Sequence, residues 1–341
     1  GTLFNTTLNF DVYPQYSGTY NWKAHVLSFN DKQNDYIVTD THPWSIAFNV
    51  ENPVLPFPIT TGRIVYHSYT NPEEEKWDAK MYMYDFSNNQ RTEISATWNI
   101  DNPINGHFSP DGSKIVFMAD QRGEPRDWDI FVWNVGSNIE PENLTNIDVG
   151  PRDQDPKFSP DGKKVVYNHS YWDSQIGGFK SVLREIDLES KSIRDISPEN
   201  VITQSCPYYT TDGQQVVFTY DSDLNSSIRM IDLNNINSTV LLVDEPLTQE
   251  MYPIVKDANT FLYTRWVSKD DRNDRIYLGY LNGLTAPYSV FNTTTGQDAD
   301  PYPVNSNYVL FSSIRDGGMG GWDLYLGDIE TDYIWSLSEI N

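Results

Sequence analysis

The chain has 341 residues, 14% of them aromatic, and a formal net charge of −24. That charge argues against nucleic acid, whose binding rests on basic surface, and against an anionic membrane surface, while it favours solubility and cation binding. No run of about 18 apolar residues exists to span a membrane, and a chain that starts at Gly1 without a signal peptide is expected to have lost such a segment or never carried one.

In chain order, the first fifty residues are the least regular. Leu8-Asn9-Phe10-Asp11 fits a second strand, His25-Val26-Leu27-Ser28-Phe29 a third, and Tyr36-Ile37-Val38-Thr39 a fourth. From there a repeat runs to the end, in units starting near residues 53, 103, 151, 204, 250 and 299. The clearest copies share one phrase. Phe108-Ser109-Pro110-Asp111-Gly112 precedes Ser113-Lys114-Ile115-Val116-Phe117, and Phe158-Ser159-Pro160-Asp161-Gly162 precedes Lys163-Lys164-Val165-Val166-Tyr167. A looser copy is Tyr209-Thr210-Thr211-Asp212-Gly213 before Gln214-Gln215-Val216-Val217-Phe218. Each reads as strand, Asp-Gly turn, strand, which is a hairpin signal.

Where the turn decays, the aromatic closing the second strand still recurs, at Tyr66, Phe117, Tyr167, Phe218, Tyr263 and Phe311. A polar loop and a third strand follow each one, such as Lys80-Met81-Tyr82-Met83-Tyr84 or Asp129-Ile130-Phe131-Val132-Trp133, then a shorter fourth such as Arg91-Thr92-Glu93-Ile94-Ser95. Four strands per roughly fifty residues is the blade of a β-propeller. The sequence therefore predicts an all-β fold, with residues 1–341 forming a single β-propeller of seven four-stranded blades. Its first blade, over approximately residues 1–50, is irregular; six blades plus an N-terminal extension is the alternative. Most aromatics are expected to fill the wedges between blades. The turns at Asp111, Asp161 and Asp212 are expected on the face opposite the loops that join second to third strands.

The single cysteine, Cys206, precedes Pro207 at the repeat position that holds Asp155 and Asp300 in other blades. It reads as a small buried residue rather than a nucleophile, and disulfides cannot hold this fold. Sequons at Asn5, Asn143, Asn168, Asn225, Asn237 and Asn292 slightly exceed chance and point to a secreted glycoprotein, with the periplasm as the alternative location.

The phrases Asp155-Pro156-Lys157-Phe158-Ser159-Pro160-Asp161-Gly162 and Ser313-Ile314-Arg315-Asp316-Gly317-Gly318, with Gly321-Trp322-Asp323-Leu324-Tyr325, look like TolB-type, WD-like propeller repeats. The resemblance is clear in the third, fourth and seventh predicted blades and looser elsewhere. Similar repeats occur in periplasmic TolB proteins, in the propeller lids of some serine peptidases, in cell-surface proteins, and in secreted polysaccharide lyases acting on uronate-containing glycans. No Gly-x-Ser-x-Gly elbow is present, which argues against a peptidase. A fold shared so widely does not fix a function.

In a propeller, the loops joining second to third strands and successive blades share the face around the channel mouth, so residues far apart in sequence converge there. His67, His107 and His169 fall in consecutive blades on that rim, and His-Ser-Tyr occurs twice, ending at Tyr69 and Tyr171. Imidazole titrates near neutrality and suits acid–base work, although each histidine alone also reads as an ordinary hydrogen-bonded side chain. Arg122, Arg152, Arg265 and Arg315 reach the same face. An arginine can hold a carboxylate by two parallel hydrogen bonds, or simply pair with a nearby aspartate. Arg122 and Arg315 belong to the repeat itself; Arg265, beside Trp266, and Arg152 are the candidates to hold substrate. Tyr69, Tyr171, Trp172, Trp266 and Tyr302 offer ring faces to sugar C–H groups, with blade packing as the plainer role.

Acidic positions before the inner strands include Asp153, Asp155, Asp298 and Asp300. Asp155 and Asp300 are candidate ligands for Ca2+, which takes oxygen donors, although Asp also commonly caps turns. The three histidines with Gln204 are the alternative, for Mn2+ or Zn2+, and that set resembles the metal site of oligogalacturonate lyases. Two functions follow. One is a secreted lyase that cleaves a glycan beside a uronic acid. There Arg265, with Arg152 or a cation, neutralises the carboxylate, His67 or His169 is the base, and His107, Tyr69 or Tyr171 the acid. The other is a non-catalytic module binding a glycan or protein on the same face. Either is expected to be a monomer that binds no nucleic acid.

Overall fold

The computed structural model describes residues 18–24, 27–30, 35–38, 44–50, 55–69, 78–121, 128–146, 151–198, 203–222, 225–268, 271–291, 296–315, 318 and 321–337, the first four segments as backbone only. The chain divides into two compact units, Gly1–Pro58 and Ile59–Asn341. In the first, β1 (Gly18–Ala24) pairs antiparallel with β4 (Trp44–Val50), and β2 (Leu27–Asn30) with β3 (Asp35–Val38). The strand expected at residues 8–11 lies outside the described residues.

The second unit is a succession of antiparallel meanders. They are β5 (Arg63–Tyr69), β6 (Ala79–Asp85) and β7 (Gln90–Glu93); then β8 (Ile100–Phe108), β9 (Lys114–Gln121), β10 (Trp128–Asn134) and β11 (Glu142–Asn143). Next come β12 (Arg152–Phe158), β13 (Lys164–Asp173), β14 (Gly178–Asp187) and β15 (Ile193–Asp195), then β16 (Thr203–Tyr209), β17 (Gln215–Asp221), β18 (Ser226–Asp232) and β19 (Asn235–Val243). The last are β20 (Gln249–Val255), β21 (Thr260–Trp266), β22 (Arg275–Tyr280) and β23 (Tyr288–Ser289), and β24 (Asp298–Pro303), β25 (Tyr308–Ser313), β26 (Asp323–Asp328) and β27 (Ile334–Ser336). Among the described residues no helix is long and apolar enough to cross a membrane.

The all-β propeller forms, but seven four-stranded blades do not. Four small sheets stand as separate blades: β5–β7 with three strands, and β8–β11, β20–β23 and β24–β27 with four each. β12–β19 run on as one eight-stranded sheet, joined where Ser181 of β14 lies parallel to Thr203 of β16. The first unit holds two two-stranded sheets in place of another four-stranded blade. The physical reason for the fusion is strand length: β14, ten residues long, reaches far enough to pair with the next meander.

The repeated phrase earns its place twice over. Ser109 Oγ donates to Asp111 Oδ1 at 2.6 Å, and the same carboxylate accepts from Ser113 N at 3.0 Å. These bonds, that from Ser109 first, hold the Asp111 carboxyl well below the usual range. Gly112, Gly162 and Gly213 close the turns with φ of 67°, 71° and 69°, a region open to glycine at no steric cost. Successive turns also stack: a Cβ on Gly162 would sit 3.5 Å from Pro110, and one on Gly213 3.4 Å from Pro160. Above them, Phe117, Tyr167, Phe218, Tyr263 and Phe311 are buried in the wedges, as the aromatic period requires. Two wedges are filled by a ring leaning over a glycine. A Cβ on Gly279 would lie 2.5 Å from the Phe261 ring, so Gly279→Ala is expected to cost about 1–3 kcal/mol by overpacking, read as a lower midpoint in urea.

The first strands of the meanders line the axis. His107 of β8 meets Tyr302 of β24, their rings 5.9 Å apart, although β8 opens the second meander and β24 the last. β12, β16, β20 and β24 each break register at one left-handed residue, Asp155, Cys206, Tyr252 and Asp300, and β8 breaks it twice, at Asn102 and Asn105, all with φ between 50° and 55°. Such a bulge inserts one extra residue and re-aims the side chains beyond it. A non-glycine residue there costs about 1–3 kcal/mol unless its surroundings compensate. Here neighbouring bulges tie to one another: Asn105 Nδ2 donates to Asp155 Oδ1 at 2.6 Å, and Cys206 Sγ donates to Asp155 Oδ2 at 3.6 Å.

Candidate active site

At the start of these inner strands the fold repeats a buried ion pair. Glu250 of β20, fully buried, holds Arg265 of β21 at 2.9 Å, and Asp298 of β24 holds Arg315, just past β25, at 2.7 Å. In β12 the acid is Asp153, also fully buried, but the residue opposite it on β13 is His169. Asp153 Oδ1 and His169 Nδ1 are 2.6 Å apart. Burial pushes the Asp153 carboxyl up, and the bond to His169 opposes that push. An arginine at this position would be permanently charged. A neutral imidazole that donates from Nδ1 to Asp153 carries its lone pair on Nε2.

The histidine opens onto space. His169, Pro151, Tyr171, Trp172, Phe179 and Arg184 line a cavity of about 590 Å3. β13 and β14 have ten residues each, against eight for β9 and seven for β17 and β21. The extension lifts Trp172 and Phe179 into solvent, 60% and 57% exposed, with their rings edge to face at 5.4 Å. Tyr171 lies with its ring 5.4 Å from that of His169. Exposed aromatics beside a polar dyad are an arrangement suited to a ligand with both C–H faces and polar groups.

The other expected site residues are distributed differently. His67 is half-buried with its ring edge-on to Tyr69 at 5.6 Å, and burial lowers its pKa to about 4. His107 sits at the axis, Nε2 3.4 Å from the Tyr208 hydroxyl, with Nδ1 lacking a hydrogen-bond partner. Burial, helped by the Lys157 ammonium, lowers its pKa to about 3. The three histidines thus have three separate sets of ring neighbours. Tyr302 lies at the axis, 37% exposed. Arg265 is engaged by Glu250, by the Tyr263 hydroxyl at 3.0 Å and by the Tyr277 ring at 4.3 Å. Trp266 lies under the Arg272 guanidinium at 4.3 Å. Arg152 lines a second cavity, beside the first.

Asp155 and Asp300 do come near one another, but the charge that faces them is the Lys157 ammonium, whose pKa burial lowers against the pull of both acids. Gln204 is buried, its Oε1 accepting from Ser197 Oγ. Among the described residues no three His, Cys, Asp or Glu side chains group to hold a metal ion. Arg122, His25 and His42 lie outside the described residues. Sequence reasoning overlooked Phe179 and Arg184, and did not pair Asp153 with His169. The signal was available: the acid and cation stand 15 residues apart in Glu250–Arg265 and 16 apart in Asp153–His169.

Among solved structures, TolB from Acinetobacter baumannii superposes with a TM-score of 0.61 at 15% identity, over 93% of this chain and 78% of that one. The fold is a TolB-like β-propeller. An oligogalacturonate lyase from Vibrio parahaemolyticus shares the propeller at a TM-score of 0.55 and 11% identity, over 81% of this chain and 74% of that one. A puromycin-hydrolyzing peptidase from Mycobacterium tuberculosis does so at 0.52 and 14%, over 83% of this chain and 48% of that one. Identities this low show the TolB-like fold alone. No protein-family model matches the chain, and no curated protein matches it at a significant level.

Proposed function

We propose that this TolB-like propeller is an extracytoplasmic polysaccharide lyase, cleaving a uronate-containing glycan by β-elimination at the β13–β14 rim. The observation that carries the reading is His169, oriented by buried Asp153 in an aromatic-walled cavity, at a position where the fold elsewhere places an arginine. Trp172 and Phe179 stack the sugar rings. Arg184, the cation of the cavity, faces the uronate carboxylate and lowers the cost of charge developing beside it. His169 Nε2 takes the proton from C5, the C–H electron pair becomes the C4–C5 double bond, and the C4–O bond to the neighbouring sugar breaks. Tyr171 gives its proton to that leaving oxygen and recovers one from His169 through water.

The net charge of −24 disfavours a long polyanion. Repulsion from distant carboxylates is screened beyond about 8–10 Å in physiological salt, so a short or terminal uronate segment suits the site better. The test is incubation with a panel of uronate polysaccharides and oligosaccharides while following the ultraviolet absorbance of the unsaturated product. Rising absorbance is expected for at least one acidic glycan. Binding with no absorbance change on any member would replace this reading by that of a glycan-binding module.

A further inference from the structure

We propose that the small cavity on the other side of the β13–β14 hairpin is a carboxylate-binding subsite built on Arg152. Among the described residues, Arg152 is the one arginine whose side chain makes no hydrogen bond, ion pair or ring contact. The others are engaged, for example Arg184 by Asp195 at 2.7 Å, Arg194 by Glu185 at 2.9 Å, and Arg229 over the Tyr220 ring at 4.0 Å. In a chain with 48 acidic and 24 basic residues, a guanidinium that meets no partner of any kind within the protein is the exception.

Strand alternation explains where it points. Successive side chains of β12 take opposite faces. Asp153 turns to His169, so Arg152 and Gln154 turn the other way, toward Ser170, Ser181 and Thr203. Together with Phe179 these line a cavity of about 180 Å3. Ser170 Oγ donates to Ser181 Oγ at 3.0 Å, and Ser181 Oγ donates to the Gln204 carbonyl at 2.7 Å. With their protons committed, Ser170 retains acceptor capacity for a sugar hydroxyl, while Arg152 and the Gln154 amide supply donors. A carboxylate entering a protein of charge −24 needs a local cation, and a planar guanidinium meets it with two parallel bonds. Phe179 borders both cavities, so one ligand can touch both.

Resting on the lyase reading for the identity of the ligand as a glycan, the assignment names its class: acidic residues at adjacent positions, one at His169 and a second, uncleaved, at Arg152. The test is calorimetric titration of galacturonate and glucuronate, with their methyl esters as controls, into the wild-type chain and into Arg152→Gln and Arg152→Lys. The free acids are expected to bind and the esters not. Arg152→Gln should weaken binding at least about tenfold, with Arg152→Lys recovering only part because an ammonium lacks the fork. Thermal melting of Arg152→Gln should match the wild type, since no partner is stranded. Equal binding by Arg152→Gln, equal binding of esters and acids, or no binding by the wild type overturns the subsite. Arg152-dependent binding in a chain that cleaves nothing keeps the subsite and removes the lyase; cleavage with Arg152-independent binding does the reverse.

Discussion

Replacing His169 with alanine is expected to lower turnover of a uronate glycan by about 100- to 10,000-fold, the usual contribution of a positioned acid–base group. The same change strands Asp153, which is fully buried and has one carboxylate oxygen without a hydrogen-bond partner. Removing one member of a buried pair costs about 3–5 kcal/mol when the other stays charged. The sign with pH follows from the raised Asp153 pKa. A carboxyl whose folded pKa lies above its unfolded value contributes stability below the unfolded pKa and loses it as pH rises through the folded one. The melting temperature of the single variant should therefore fall as pH is raised. The double variant Asp153→Asn/His169→Ala has no charge to strand, so it should melt closer to the wild type yet remain inactive. Full turnover in His169→Ala on a confirmed substrate would end the assignment.

Arg265→Ala is expected to behave in the opposite way, losing stability by about 3–5 kcal/mol with little change in the activity of the molecules that remain folded. Glu250, fully buried, keeps only the bond from Thr248 Oγ1 once the guanidinium is gone. Burial already pushes the Glu250 carboxyl up, and Thr248 and Arg265 are what oppose it. Urea unfolding measures the loss. Glu250→Leu/Arg265→Met, which removes both charges, should restore much of it. A stable Arg265→Ala variant that has lost uronate binding would return this arginine to the substrate.

Why one rim arginine braces the fold while another is free was not visible in the sequence. Both Arg152 and Arg265 sit beside the expected channel mouth, and only register tells them apart. Arg265 lies opposite Glu250, whereas Arg152 lies opposite Ser170. The same holds for the two His-Ser-Tyr phrases. His169 belongs to a second strand with Asp153 on the strand before it; His67 belongs to β5, the first strand of its sheet, and pairs only with Met81 on β6. What could be read from the residues was local: the Asp-Gly turn, whose geometry four or five consecutive residues determine, and the period of the buried aromatics. The blade count was not local. It depended on a hairpin long enough to fuse two meanders.

The left-handed residues at Asn105, Asp155, Cys206, Tyr252 and Asp300 divide β8, β12, β16, β20 and β24 into two parts with different duties. Below the bulge, the strand runs into an Asp-Gly turn or its counterpart, and the well-formed turns stack proline on glycine from one meander to the next. Above it, the same strand carries whatever the mouth requires: aspartate with histidine, glutamate with arginine, or an arginine left unpaired. A joint of this kind absorbs changes of side chain and of length before they reach the stacked turns. The propeller is therefore a chassis with exchangeable sockets. A binding preference from one meander can be transplanted to another by cutting at the joint, with the frame beneath left as it is.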